Sequence, residues 1–362
     1  MYSKELKALK RANRYREIKL YRDVIDLASN DYLGLASKKK QLKRAFRLVK
    51  KYNTFAPKAS LLVNGYHIIH KEFEDKIAKV NGFESGLVVG SGFLANIALI
   101  EALVRKSDEL FIDSEYHASG VLASKLVDKV TFFNHNDPKD LEKKLNLSKA
   151  KRKIIAIEGI YSMSGDLAKK EIFEIANNKN AILIVDEAHS SGTIGENLLG
   201  IFDYYNLKIE PNYIKMGTLG KAYGSYGAYI LSSAQIKEFL VNRAKPIIYS
   251  TAPSVFDIAL SLVNLNYILK NKDKLIRKIQ RKKDILKDIL NIESKSLIVP
   301  IKFSSNKRVL EVQKELLDRG YLVGAIRQPT VDSPIIRLIL RANIKNRALK
   351  EALYYLKELK DD

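Results

Sequence analysis

The chain has 362 residues, enough for a large core and more than one domain, and its 46% apolar content is that of an ordinary globular protein. No apolar run reaches the ~18 residues of a membrane span, and the lack of cysteine excludes disulfides, thiolate nucleophiles and Cys-based metal sites; five histidines argue against a His-rich metal centre, so no metal is expected. The net charge of +22, from 63 basic and 41 acidic residues, fits a nucleic-acid partner, an anionic substrate with a phosphate cofactor, or a lysine-rich bias; the lysines are dispersed along the chain, which speaks against nucleic acid.

The opening segment through Arg16 is charged and has no apolar h-region. No secretory signal is expected there, and the cytoplasm is the expected compartment. Residues 4–22 read as a basic helix leading into a strand over 24–27, and 41–52 as a second helix. Short apolar strands follow at 86–89, 109–112, 130–133, 154–157, 181–185, 213–215 and 227–231. Helical patterns lie between several of them, at 94–103, 141–147 and 170–177. Strands alternating with helices imply a mostly parallel α/β sheet, with ligands beyond the strands' carboxyl ends.

After Pro253 the texture changes. Helices are expected over 255–270 and 274–290, then a strand (297–303), a helix (307–319), two strands (321–326 and 335–340) and a final helix (346–359). The lysine-rich run at 270–287 reads as a solvated helix face. The expected organisation is an N-terminal helix and short strand over 1–40, a large α/β/α domain over 41–252, and a smaller α+β domain over 253–362.

The most informative segment is ILIVDEAH at 182–189. A buried apolar strand there ends in Asp186. A carboxylate so placed is partly desolvated unless it meets a cation. A protonated pyridine nitrogen is one such cation, and His189 is then within reach of the phenolic oxygen of the same ring. The bland alternative is a strand-end Asp capping a helix. The letters DEAH also suggest a helicase box, but no GxxxxGK[ST] loop occurs in the chain.

Further on comes TLGKAYG at 218–224, just after a strand. A lysine between small residues at a strand end is open to desolvation, which favours the neutral amine needed for imine formation. Thr218 is suited to donate to a phosphate. An Asp and a Lys in this relation are what pyridoxal phosphate requires: Asp186 tunes the ring nitrogen and Lys221 carries the cofactor. Gly92 and Phe93 stand in the turn GSGF before a helix, where backbone N–H groups are able to approach a phosphate. His117, in YHAS, is placed to stack on the ring, and Ser162, in EGIYSM, to bond its phenolic oxygen.

The series ASNDYLGL (28–35), GSGFLAN (90–96), YHAS (116–119), EGIYSMSGD (158–166), VDEAHSSGTIG (185–195) and TLGKAYG (218–224) resembles the α-oxoamine synthases. Those enzymes join an amino acid to an acyl thioester with loss of carbon dioxide. They are fold-type-I pyridoxal-phosphate transferases of aspartate aminotransferase-like architecture. KPIIYST (245–251) and AIRQPTV (325–331) resemble the branch of the family that serves the biotin pathway.

The resemblance implies pyridoxal 5'-phosphate as cofactor, with Gly92, Phe93, His117, Ser162, Asp186, His189, Thr218, Lys221 and Thr251 around it. Thr251 would reach a phosphate across a homodimer interface. Lys221, His117, Asp186 and His189 would be catalytic. The implied substrates are L-alanine and pimeloyl-CoA or a pimeloyl-acyl-carrier protein, contacted by Arg14 (or Arg16), His117, Arg327 and Thr330. No nucleic-acid or membrane partner is implied. The chain departs from the family pattern at 55–60, FAPKAS, where a glycine-rich stretch is usual. Ser164 stands where Asp is common, and VDSPIIRLIL after Thr330 lacks the usual P-x-G.

Overall fold

In a computed structural model, which describes residues 2–361, the short apolar runs form one seven-stranded sheet. Its spatial order is Ser85–Val89, Ala228–Ser232, Tyr213–Thr218, Ile182–Asp186, Lys153–Glu158, Glu109–Asp113, Val130–Phe133. Only Ala228–Ser232 runs antiparallel to its neighbours. The strands carry runs such as Ile154–Ile157 with no exposed surface, because helices cover both faces.

Four of the parallel strands end in a polar residue: Asp113, Glu158, Asp186 and Thr218. Register fixes their relation, since Glu158 pairs with Asp186 and Asp186 with Met216. The sheet therefore delivers two buried carboxylates side by side at its carboxyl edge.

Packing divides the chain into two units. The larger holds Leu33–Ser162 and Asp166–Leu275; the smaller holds the residues up to Tyr32, Met163–Gly165 and those from Ile276 on. The division thus lies at 275/276, whereas 252/253 was the expected boundary. The physical reason is that the helix Val255–Lys270 packs against the helices Lys39–Val49 and Ile68–Asn81 of the larger unit. The N-terminal boundary moves likewise, because the strand Ile25–Asp26 pairs with Tyr321–Leu322 of the smaller unit.

That smaller unit also has a three-stranded antiparallel sheet, Gly324–Ile326, Ile335–Ile339 and Ile298–Lys302 in spatial order. The strand expected over 321–326 is therefore two short strands in different sheets, broken at the buried Val323. Arg341 secures the N-terminal segment here, with ion pairs of 2.6 Å to Asp26 and 2.7 Å to Asp31.

The helix expected over 4–22 is shorter, Ser3–Arg11, and buries none of its residues. Asn13 follows at φ 52, and residues 12–24 are irregular. Its apolar residues Leu6 and Leu9 stay exposed, so no packing extends the helix past its first turns. The helix Ile68–Asn81 was not anticipated; it buries Ile69, Phe73 and Ile77 at four-residue spacing and stops at the left-handed Gly82. No helix among the described residues is long and apolar enough to cross a membrane.

Candidate active site

The carboxyl edge of the seven-stranded sheet opens into a cavity lined by Gly92, Phe93, Asn96, His117, Ser119, Glu158, Asp186, Ala188, His189, Met216, Thr218 and Lys221. Seven of the residues singled out from sequence (Gly92, Phe93, His117, Asp186, His189, Thr218 and Lys221) thus meet around one space within the larger unit.

Lys221 sits with its Nζ 3.0 Å from His189 Nε2. His189 is buried, while Lys221 is partly open to the cavity. Asp186 is 3% exposed, and both its oxygens are held: Oδ1 accepts from Ala188 N–H at 2.9 Å, and Oδ2 accepts from Asn96 Nδ2 at 2.8 Å. A buried carboxylate with two N–H donors is fixed in place before any ligand arrives.

Beside it, Glu158 accepts Ser162 N–H at 3.1 Å on Oε2, and its Oε1 is buried without a partner among the described residues. Burial, and next the neighbouring Asp186 charge, push the Glu158 pKa well above the ordinary carboxylate value. Asp186 and Glu158 thus line the cavity together.

The helix Gly92–Leu103 starts at the cavity, capped by Ser91, whose Oγ accepts from Leu94 N–H. A Cβ on Gly92 would come 2.5 Å from Thr218 Cγ2, so only glycine lets the turn approach that strand end. Thr218 Oγ1 is itself buried with no hydrogen-bond partner among the described residues. An orphaned hydroxyl beside a glycine turn at a helix N-terminus is a cradle for an anion.

His117 caps the helix Ala118–Ser124. Burial pushes its pKa down, the Asp186 carboxylate pulls it up, and the Lys221 charge lowers it again; the net direction is down, although the residue also presents surface to solvent.

Behind the cavity floor, Glu187 turns to the other side of the sheet. It meets Lys215 at 3.5 Å, and both side chains are fully buried. Glu187 Oε2 also accepts from Ser190 Oγ and from Ile201 N–H, and Lys215 donates to Leu199 O and to Asn81 Oδ1. Next to the loop 159–166, His135 is held between Asp113 (3.0 Å) and Asp166 (3.1 Å), with Glu115 at 3.7 Å. Tyr161 donates to Asp113 Oδ2 at 2.7 Å.

The remaining expected residues lie elsewhere. Ser162 is buried against Glu158 and is not among the cavity lining. Thr251 is exposed and bridges to Ser60. In the smaller unit, Arg327 Nη1 donates to Asn13 O at 2.8 Å, and Arg16 Nη2 reaches Thr330 Oγ1 at 3.4 Å. Arg14 is exposed. Of the two N-terminal arginines, Arg16 is the one grouped with Thr330 and Arg327; burial and the Arg16 charge lower the Arg327 pKa. Arg337 is 7% exposed and donates to Asn30 Oδ1 at 3.1 Å.

Sequence reasoning missed Asn96, Ser119 and Glu158 as parts of the site. A signal for Asn96 existed: it is the one amide in the apolar helix GFLANIALIEAL, and a polar group there demands a buried partner.

The family model for class I and II aminotransferases matches residues 22–356. A curated 8-amino-7-oxononanoate synthase of Helicobacter pylori is 47% identical over 99% of this chain and 95% of its own length. The crystal structure of 8-amino-7-oxononanoate synthase from Francisella tularensis superposes with TM-score 0.76, at 26% identity over 93% of this chain and 98% of that one. A serine palmitoyltransferase from S. paucimobilis with a bound pyridoxal-phosphate–myriocin adduct shares the fold, at TM-score 0.88 and 22% identity over 99% of this chain and 96% of that one. The cavity suits pyridoxal phosphate on its own chemistry. It has one fixed carboxylate, one lysine against a histidine, and an orphaned threonine hydroxyl at a glycine turn.

Proposed function

The chain belongs to the class I and II aminotransferase family, and we propose that it joins L-alanine to a pimeloyl thioester, the reaction of the 8-amino-7-oxononanoate synthases among its relatives. A carbon–carbon bond forms between the α-carbon of alanine and the thioester carbonyl carbon. The carbon–sulfur bond breaks and the thiol leaves. The alanine carboxylate departs as carbon dioxide, and a proton takes its place on the α-carbon.

Pyridoxal 5'-phosphate, bound in the cavity, supplies the electron sink for negative charge at that α-carbon. Lys221 would hold it covalently and Asp186 would pair with its ring nitrogen. Thr218, with the Gly92 turn, would hold its phosphate. Once the amino acid has displaced it, the Lys221 amine is the base that takes the α-proton and the acid that returns one. His189, with Nε2 3.0 Å from Lys221 Nζ, is placed to exchange that proton. His117 orients the reacting amino acid from the cavity wall.

The observation that carries this reading is the Lys221–His189 contact beside the doubly held Asp186 carboxylate. Arg327, Arg16 and Thr330 form a cationic, hydroxyl-bearing group suited to a substrate carboxylate. Thr251, exposed and outside the cavity lining, suits a phosphate contact in a second copy, and we read the enzyme as a cytoplasmic homodimer.

The test is to load the protein with pyridoxal phosphate and measure thiol and carbon dioxide release with L-alanine, glycine or L-serine, on pimeloyl-CoA and on pimeloyl-carrier protein. We expect turnover with L-alanine. Turnover only with glycine or serine overturns the substrate assignment and leaves the family intact. The Lys221→Ala variant should lose at least about 10³-fold in turnover, together with the visible absorbance of the bound cofactor. A variant that keeps both would overturn the role of Lys221.

A further inference from the structure

Along the cavity wall, a chain of hydrogen bonds fixes the position of each hydrogen in turn. Tyr116 Oη lies 2.7 Å from Asn96 Oδ1. Burial, and after it the Asp186 and Glu158 charges, push the Tyr116 pKa far up, so the phenol keeps its proton and donates. The Asn96 amide has one orientation open to it. Its Nδ2 faces Asp186 Oδ2 and Ser119 Oγ, each at 2.8 Å. Turned over, the amide would set its carbonyl oxygen against a carboxylate and its NH₂ against a phenol proton.

Both Nδ2 hydrogens are therefore committed, one to Asp186 and one to Ser119. Ser119 Oγ, having accepted one hydrogen, has its own to give. Its other neighbour is His117 Nδ1, at 2.8 Å. The backbone N–H of Ser119 points at the same nitrogen, at 3.2 Å. A hydrogen on Nδ1 would collide with that N–H, so Nδ1 presents its lone pair and accepts twice.

We propose that Tyr116, Asn96 and Ser119 form a one-way donor relay that holds His117 as its neutral Nε2–H tautomer, with the same Asn96 amide fixing the Asp186 carboxylate. The three relay members are positioning residues. Through them His117 enters the reaction as a hydrogen-bond donor from Nε2 and not as a base. One asparagine thereby sets two groups of the cavity together, the stacking histidine and the carboxylate for the ring nitrogen. The burial-driven fall in the His117 pKa works in the same direction, since it favours the neutral ring. The relay uses only atoms of this chain and stands whichever acyl donor the enzyme takes.

The test is long-range ¹H–¹⁵N NMR on the full-length protein labelled at its five histidines, loaded with pyridoxal phosphate and without substrate, with the His117 signal assigned by its loss in His117→Gln. We expect a bare, hydrogen-bonded Nδ1 and a protonated Nε2. In Ser119→Ala the Nε2–H to Nδ1–H ratio should fall about fivefold, the worth of one neutral hydrogen bond, and the pH midpoint of His117 should move up. Ser119→Thr, which keeps the hydroxyl, should restore both. A wild-type His117 protonated on Nδ1 overturns the proposal without any variant. So does a Ser119→Ala protein whose His117 tautomer and midpoint match those of the wild type.

Discussion

Two groups of polar residues in this chain obey different physics. Around the cavity, Asp186, Asn96, Tyr116 and Ser119 are almost fully buried and joined by bonds of 2.7–2.8 Å. In the smaller unit, Arg16 meets Thr330 at 3.4 Å in an exposed contact, and Arg327 is only partly covered. The first group is built before any ligand arrives, because a buried polar atom without a partner is expensive. The second is left adaptable, since water pays for whatever the protein leaves open. On the function proposed above, reaction chemistry would sit in the rigid group and substrate choice in the loose one.

The largest effect should come from breaking the rigid region from beneath. Lys215 and Glu187 are wholly buried, and Glu187 directly follows Asp186 in the chain. Burial lowers the Lys215 pKa, and the Glu187 charge opposes that fall. Lys215→Met leaves the Glu187 carboxylate buried without its cation. We expect a loss of about 3–5 kcal/mol in a urea titration, and recovery of most of it in Lys215→Met/Glu187→Gln. A single variant as stable as the wild type would show that the floor of the cavity does not depend on the pair.

An intermediate effect belongs to His135. Burial alone would push this imidazole down, but its hydrogen bonds to Asp113 and Asp166 hold its pKa at about 10, with Glu115 and the Tyr161 ring also against it. The folded-state value lies above the unfolded value of about 6.5. The stability it contributes is thus complete below about pH 6.5 and is lost as pH rises through about 10. Melting temperature measured from pH 6 to 10.5 should fall more steeply for the wild type than for His135→Gln. Parallel curves would remove His135 as the cause.

The same contrast explains what the sequence made legible. The sheet could be read because its strands are short apolar runs bounded by turns, such as 154–157 and 182–185. Asp186 and Lys221 could be read because the chemistry tolerates few other residue types at a strand end. Asn96 serves the site through Asp186 and Ser119, both far along the chain, and Ser119 joins it only through Asn96; spacing along one helix does not disclose such partners. Residues 12–22 misled because a basic, partly amphipathic pattern predicts a helix, while the folded chain leaves its apolar residues, Ile18 and Leu20 among them, exposed. The 252/253 boundary misled because the helix after Pro253 packs back onto the larger unit.

The smallest effect, and the one that sharpens the comparison most, concerns the N-terminal arginines. Both lie in the irregular stretch after Ser3–Arg11, and sequence position alone ranks Arg14 first. Geometry reverses that order. Both arginines are exposed, but it is the Arg16 guanidinium that reaches Thr330 and lowers the pKa of Arg327 by its charge. Arg16→Ala should raise KM for the pimeloyl thioester about five- to tenfold, the worth of one charge-assisted contact in a partly exposed setting, with kcat changed less than about twofold. The cavity lies in the larger unit and carries neither arginine, so the cofactor's absorbance should match that of the wild type. Arg14→Ala should move KM less than Arg16→Ala does. If Arg14→Ala has the larger effect, the Arg16–Thr330 contact is not the one the substrate uses. If Arg16→Ala instead lowers kcat and leaves KM alone, the loose group takes part in the chemistry, and the division between a rigid reacting region and an adaptable binding one fails.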